Sequence, residues 1–416
     1  DGQGDDDLVV VGPAGGYIAS GYAAVLSDEP PLVRAWYVNP FRFFRHAFAT
    51  DDVPKLDTTT MSGRRIFYSH IDGDAWHNMA NLQLYRGRPV VAAEVVHDQI
   101  LVKYPDLPAT VAPISGDLDT SWYGSDEAKA LARKMFALPN VEAGSHTHSH
   151  PFAWMFFRNY DPKQEAPFLS RYPARPGKSQ SESVWESEAA SDASDRQPKA
   201  IDGVYSRPRS YAVKPFDLDL EIGGSIRFIQ ALLPPGKRVE IMHWSGDTVP
   251  WEKVVSLTRA AKVRNINGGD PRMDGQYDSY AWVSPLARRV GKEWQIYSSG
   301  ANENIYTDNW RSRHYAFRYL IDSLHNMETP IRVKPINLYY HFYSAERPEG
   351  LTSLTTILDH VRTQKVAPVT TSRFAAMADG FLSARIVQLD ERRWRIENHD
   401  GIETVRFDLA STSAVD

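Results

Sequence analysis

Ile66-Phe67-Tyr68-Ser69-His70-Ile71-Asp72-Gly73-Asp74 decides how this chain is read. Its apolar start reads as a buried strand, and two carboxylates two residues apart follow where that strand runs out. A second segment repeats the plan: Val141-Glu142-Ala143 reads as a strand, and Ser145-His146-Thr147-His148-Ser149-His150-Pro151 follows it. Imidazoles at i and i+4 can both reach one ion. In a parallel β/α fold, polar residues just past the strands lie at the carboxyl face, where sites are built. Asp72, Asp74, His146 and His150 therefore form one candidate centre.

Working outward, the pattern alternates between strand and helix. Ala109–Ile114, Arg238–His243, Val263–Ile266, Trp294–Tyr297 and Ile336–Phe342 read as strands. Val90–Tyr104, Asp126–Leu138, Glu221–Leu233, Pro250–Lys262, His314–Asn326 and Leu351–Gln364 read as helices. Such alternation predicts an α/β chain with a parallel sheet, and the count fits a distorted (β/α) barrel of roughly seven or eight units. We place the barrel at residues 63–375, with an N-terminal segment, 1–62, packed on it. A long insertion at about 158–212 interrupts it, since Ser179–Asp195 is rich in Ser, Glu and Asp. Residues 376–416 alternate as Arg385-Ile386-Val387-Gln388-Leu389 and Trp394-Arg395-Ile396-Glu397, which predicts a small C-terminal β element or the start of a further β domain.

Composition removes several function classes. The 416 residues are 42% hydrophobic and 12% aromatic, enough for a large core. A net charge of −5 gives no broad cationic field, so nucleic acid is not an expected partner. No apolar run approaches the roughly 18 residues of a membrane span. Cysteine is absent, so a transition-metal site must use His, Asp or Glu. The chain opens Asp1-Gly2-Gln3-Gly4 with no initiating Met or signal-like segment, and we read it as an excised part of a longer protein. Gly12-Pro13-Ala14-Gly15-Gly16 lacks the G-x-G-x-x-G spacing and reads as a turn.

Two imidazoles and one carboxylate leave coordination positions open for water and a carbonyl oxygen, the arrangement of a catalytic ion. Whichever aspartate is not a ligand is free to act as a general base. Thirteen His in the chain make one His-x-x-x-His pair unremarkable, so the weight rests on its place after a strand. His70 and His148 read better as satisfied core histidines than as ligands. Trp76, Trp122, Trp154, Trp244 and Tyr306 offer faces that could stack on sugar rings, although core packing accounts for most of them. Asn302-Glu303-Asn304 could contact hydroxyl or acetamido groups.

His70-Ile71-Asp72-Gly73-Asp74 resembles the first motif of the NodB-homology polysaccharide deacetylases, and His146-Thr147-His148-Ser149-His150 resembles their second, H-[ST]-x-x-H. The H-[IV]-D-G-D form is that of PelA-like deacetylase domains. Leu338-Tyr339-Tyr340-His341 resembles the late L-x-H motif with one extra residue. The resemblance covers about residues 64–375 and implies a barrel of NodB type. It implies Asp72 as general base, His341 as general acid, and Asp74, His146 and His150 as ligands to a divalent metal ion; for a His₂Asp set zinc is the default, with cobalt, nickel and iron left open. It further implies de-N-acetylation of an acetylated hexosamine polysaccharide, N-acetylgalactosamine-containing, in the periplasm during biofilm matrix formation, alongside other exopolysaccharide biosynthesis or export proteins. The family's base-orienting Arg and Pro-Tyr segment is missing; Asn265-Ile266-Asn267-Gly268-Gly269-Asp270 stands there, with Gly268 or Gly269 as an oxyanion donor or simply a turn. The family's Asp partner to the acid His falls to Asp270, Asp274 or Asp308. The rival readings are a metal-dependent esterase or amidase on another acylated substrate, and a non-catalytic carbohydrate-binding domain. A glycoside hydrolase is disfavoured, because Asp72 and Asp74 share one loop and are poorly placed to flank a glycosidic bond.

Overall fold

The computed structural model describes residues 7–27, 32–176 and 205–408, so Ser179–Asp195 lies outside the described residues. Seven parallel strands make the main sheet: β1 (Arg64–Asp72), β2 (Ala109–Ala112), β3 (Val141–Ser145), β4 (Val239–His243), β5 (Arg264–Ile266), β6 (Ile336–His341) and β7 (Val366–Pro368). They run in the order β5-β4-β3-β2-β1-β6, with β7 against the first residues of β1 and Thr60–Met61 antiparallel to its start. β1 is buried from Arg65 to Asp72, the mark of a parallel strand covered on both faces.

The sheet curls into a half-barrel. Four strand steps separate β1 from β5, which in a flat sheet at about 4.8 Å per step would be ~19 Å. Asn267, just past β5, nevertheless reaches His70 and Asp72 on β1 through hydrogen bonds of 3.0 and 2.8 Å. The circle is not closed by strand pairing between β5 and β6. An irregular segment bridges them: Ser298 N–H donates to the Gly268 carbonyl (3.1 Å), while Ser299 and Gly300 N–H donate to Asn337 Oδ1 on β6 (3.0 and 3.1 Å). The expectation of a distorted (β/α) barrel holds. One expected barrel strand does not: Glu293–Ile296 pairs antiparallel with Ala287–Val290 in a separate hairpin, turned by Gly291 at φ +63°.

Helices cover the outside. In α1 (Asp126–Ala137), Ser125 caps the first turn by accepting from Ala128 N–H, and Ala128, Ala132, Met135 and Phe136 recur at helical spacing to face the core. α2 (Glu252–Ala260) and α3 (Pro348–Thr363) also bury residues at helical spacing but have no side-chain cap, α3 opening on a proline. The expected helix Val90–Tyr104 is an α-turn at Ala92–Val96 running into a π-turn at His97–Leu101, and Glu221–Leu233 divides similarly into Leu220–Gly224 and Ser225–Gln230. α4 (Thr371–Ser383) runs through position 375. Its Phe374, Ala375, Met377 and Ala378 are buried with Ile66 and Tyr68, plugging the curl from below.

The N-terminal segment consists of two hairpins and the helix Pro40–Phe48; Trp36 N–H donates to Ser279, and Phe41 meets Tyr280 edge-on at 4.7 Å. Arg385–Asp390 and Arg393–Glu397 form the C-terminal hairpin. Val405–Arg406 then pairs with Lys55–Leu56, tying the two ends of the described chain together. Among the described residues no helix is long and apolar enough to cross a membrane.

Candidate metal centre

The two-residue period of a strand sorts β1 into an outer face, Phe67 and Ile71 in the main core, and an inner face, Ile66, Tyr68, His70 and Asp72. The inner face becomes steadily more polar toward the carboxyl end. β6 does the same, with Ile336, Leu338 and Tyr340 outside and Asn337, Tyr339 and His341 inside. The barrel interior is thus apolar at its base and ionisable at its mouth.

Asp74, His146 and His150 meet at that mouth. Asp74 Oδ2 lies 3.2 Å from His146 Nε2, Asp74 Oδ1 lies 3.1 Å from His150 Nε2, and the two Nε2 atoms are 3.1 Å apart. His146 Nδ1 faces the His243 carbonyl at 3.0 Å, which can only accept, so the proton sits on Nδ1 and a lone pair on Nε2. His150 Nδ1 is engaged by Ser210 Oγ at 3.1 Å. Two imidazole lone pairs and a carboxylate aimed at one point suit a divalent cation, and the donor set is one that zinc accepts. Thr147 (φ +68°) and His150 (φ +56°) take left-handed backbone to bring the rings round.

Asp72 is sunk beside this group and hydrogen-bonded on every side. Its Oδ1 accepts from His243 Nδ1 (2.7 Å), and its Oδ2 accepts from Asn267 Nδ2 and Tyr339 Oη (both 2.8 Å). Burial opposes ionisation, but His146 and the His243 hydrogen bond outweigh it and hold the carboxyl below the usual range. His341 Nε2 stands 3.8 Å from Asp72 Oδ2 and 3.9 Å from Asp74 Oδ2, facing the same space.

The carboxylate behind His341 is Glu303. Glu303 Oε1 accepts from His341 N–H (2.8 Å) and Ser344 Oγ (2.7 Å) and lies 3.2 Å from His341 Nδ1. Burial lowers the His341 pKa, but Glu303 overcomes this and raises it to about 9. The imidazolium therefore persists through neutral pH and is lost only as pH rises past the raised pKa. Glu303→Gln removes the anion, so the alkaline limb of the activity profile should move to lower pH; an unshifted limb would show that His341 titration does not set it.

Of the expected partners Asp270, Asp274 and Asp308, none hydrogen-bonds His341 among the described residues, although Asp270 is near enough to feel its charge. Asp270 accepts from Asn302 Nδ2 at 3.3 Å, with burial raising its pKa to about 6. Asp274 pairs with Arg272 at 2.6 Å, and Asp308 closes a helix in the left-handed region. In Asn302-Glu303-Asn304, Asn302 caps the helix Glu303–Thr307, and Asn304 Nδ2 donates to Tyr343 Oη. His243, a single His at a strand end that gives no spacing signal, is hydrogen-bonded to Asp72 through Nδ1. Gly268 (φ +92°) and Gly269 (φ +87°) occupy backbone that glycine favours, and a Cβ on Gly269 would lie 2.6 Å from the Tyr297 ring.

His70 and His148 lie apart from the ion group. His70 bonds Asn267 and Asn337 through its two nitrogens, while His148 Nδ1 meets Ser115 Oγ at 2.8 Å with Trp122 against its ring. Trp76, Trp122, Trp154, Trp244 and Tyr306 are all buried, as packing residues are. A buried network props the histidine loop. Glu221 accepts from His148 and Ser149 N–H, both at 2.9 Å, and from Ser149 Oγ. Arg209 bonds Glu165 and Ser149, on a segment where Ser210 N–H reaches the Ser149 and His150 carbonyls.

No protein-family model and no curated protein matches the chain. Solved structures give distant likenesses. A CE4 family pseudoenzyme from Bacillus anthracis is 11% identical over 75% of this chain, with a TM-score of 0.36. The match covers 66% of that protein, just under two thirds of its length. PuuE allantoinase is 11% identical, with 76% of this chain and 91% of that one covered and a TM-score of 0.41. A probable polysaccharide deacetylase from Pseudomonas aeruginosa PAO1 is 11% identical, with 74% and 89% covered and a TM-score of 0.40.

Proposed function

We propose that this chain is a metal-dependent deacetylase that hydrolyses the acetamide of N-acetylhexosamine units in an exopolysaccharide. The observation that carries the reading is the convergence of Asp74, His146 and His150 beside a buried carboxylate, Asp72, and a carboxylate-backed imidazole, His341. A divalent cation held by Asp74, His146 and His150, zinc by donor preference, would polarise the acetyl carbonyl and make water more acidic.

The protein's own groups supply the proton traffic. Asp72, held below the usual carboxylate range, is in its accepting form at neutral pH. Its three donors fix the carboxylate in place, and it takes a proton from the water as the water oxygen bonds to the carbonyl carbon. His341, kept protonated by Glu303, delivers a proton to the departing nitrogen as the C–N bond breaks. Acetate and a free amine are the products. N-acetylgalactosamine as the sugar, the periplasm as the setting, a place in biofilm matrix production and export proteins as partners follow from the PelA-like motif form and belong to the same proposal.

The test is acetate release from N-acetylgalactosamine oligomers, with an aryl acetate run in parallel. Chelation should remove at least nine-tenths of the activity and added Zn2+ should restore it. Release indifferent to chelation would overturn the reading, and ester cleavage without any amide cleavage would move it to an esterase.

A further inference from the structure

His70 opens the first motif and takes no part in the proton traffic. It is fully buried on the inner face of β1, two residues before Asp72, so the pleat sets its imidazole next below the carboxylate. Both ring nitrogens are engaged, and the direction of each hydrogen bond follows from fixed backbone. Ser299 and Gly300 N–H donate to Asn337 Oδ1 (3.0 and 3.1 Å), which leaves Asn337 Nδ2 to donate to His70 Nδ1 (3.1 Å). Nδ1 therefore carries the lone pair and Nε2 the proton, which goes to Asn267 Oδ1 (3.0 Å). With its oxygen so engaged, Asn267 spends Nδ2 on Asp72 Oδ2 (2.8 Å) and on the Trp244 carbonyl (3.0 Å), which can only accept. The sense of the chain thus agrees at both ends. Burial, with His243 adding to it, pushes the His70 pKa well below the ordinary imidazole value, so the ring is neutral, as one donor and one acceptor require.

The same ring touches the other two donors to Asp72. Tyr339, whose hydroxyl donates to Oδ2, lies face to face on His70 with ring centres 4.3 Å apart and planes 13° apart. His243, whose Nδ1 donates to Oδ1, meets it edge-on at 5.0 Å and 80°. These donors come from three places in the barrel: Asn267 from just past β5, His243 from the end of β4 and Tyr339 from β6. A histidine that only filled the core would need two hydrogen-bond partners; contact with every donor to one carboxylate is a more particular arrangement.

We infer that His70 is a positioning residue: through its bond to Asn267 and its ring contacts with Tyr339 and His243 it holds together the three groups that aim the Asp72 carboxylate. The inference rests on the deacetylase reading, in which Asp72 is the base, and adds to it a residue that acts only through others.

Acetate release by His70→Phe and His70→Gln, with bound metal and melting temperature measured beside turnover, tests it. The phenylalanine keeps a stacked ring and loses both hydrogen bonds, while the glutamine amide restores a donor to Asn267. In His70→Phe kcat should fall roughly tenfold or more with KM and metal content near the parent's, and in His70→Gln it should return to within roughly threefold, since a misplaced group lowers turnover and leaves binding intact. A folded, metal-loaded His70→Phe with the parent's kcat overturns the inference, and so does a His70→Gln that turns over no faster than His70→Phe. Should His70→Phe not fold, nitrogen-15 NMR of the parent's imidazole decides: a proton on Nε2 alone supports the hydrogen-bond chain, and a proton on Nδ1 or on both nitrogens overturns it. A metal-loaded parent that releases no acetate overturns the deacetylase reading instead, and the NMR signature, which needs no turnover, still judges the chain.

Discussion

Asp72→Asn is expected to lower acetate release by about 10²–10⁴-fold while the bound metal stays at the parent level. The substitution keeps the side chain's shape and an oxygen to accept from His243, but it removes the atom that takes the proton from water. Asp72 Oδ2 presently accepts from Asn267 and Tyr339, so an amide there faces two donors; the tyrosine hydroxyl can turn to accept, and some local loosening follows. Metal content measured beside turnover makes the result decisive. Asp72, Asp74 and His341 form a second group close enough to hold an ion. Loss of metal from Asp72→Asn would move Asp72 from base to ligand and redraw the centre.

His146→Ala should lose both metal and activity. Its Nε2 sits between Asp74 and His150, with the proton placed on Nδ1 by the His243 carbonyl, so the substitution removes the central lone pair of the group. Two remaining ligands make a weak site, and occupancy should fall below one-tenth at metal concentrations that saturate the parent. His341→Ala is the matching control: activity should fall by about 10²–10⁴-fold, the range of general acid catalysis, with metal retained. Metal lost from His341→Ala and kept in His146→Ala would reverse the two roles.

The parts of this site that were legible in the sequence are those whose signals are local. Asp72 and Asp74 lie two residues apart and His146 and His150 four apart, each pair just after a strand, so local spacing and position together announce them. The strands behind them are short apolar runs with a period that any strand shows. Glu303 and His243 are different, because each acts through a partner far along the chain: Glu303 meets His341 across 38 residues, and His243 meets Asp72 across 171. No local pattern encodes such a pair; only the curl of the sheet does. The misread strand at Trp294–Tyr297 has the same origin. Its alternation is genuine, but alternation cannot tell an antiparallel hairpin outside the barrel from a strand within it.

The place of β1 in the middle of the sheet has a consequence for how the molecule is made. Its neighbours β6 and β7 lie near the far end of the chain, and Tyr339 must close on Asp72 across 267 residues. During synthesis β1 and the histidine loop emerge long before either. Until then the strand has one bare edge, open to pairing with other chains. Under the proposed mechanism the general acid, His341 on β6, is missing for as long. A nascent or truncated chain ending before β6 would be adhesive and, on that proposal, would lack its proton donor.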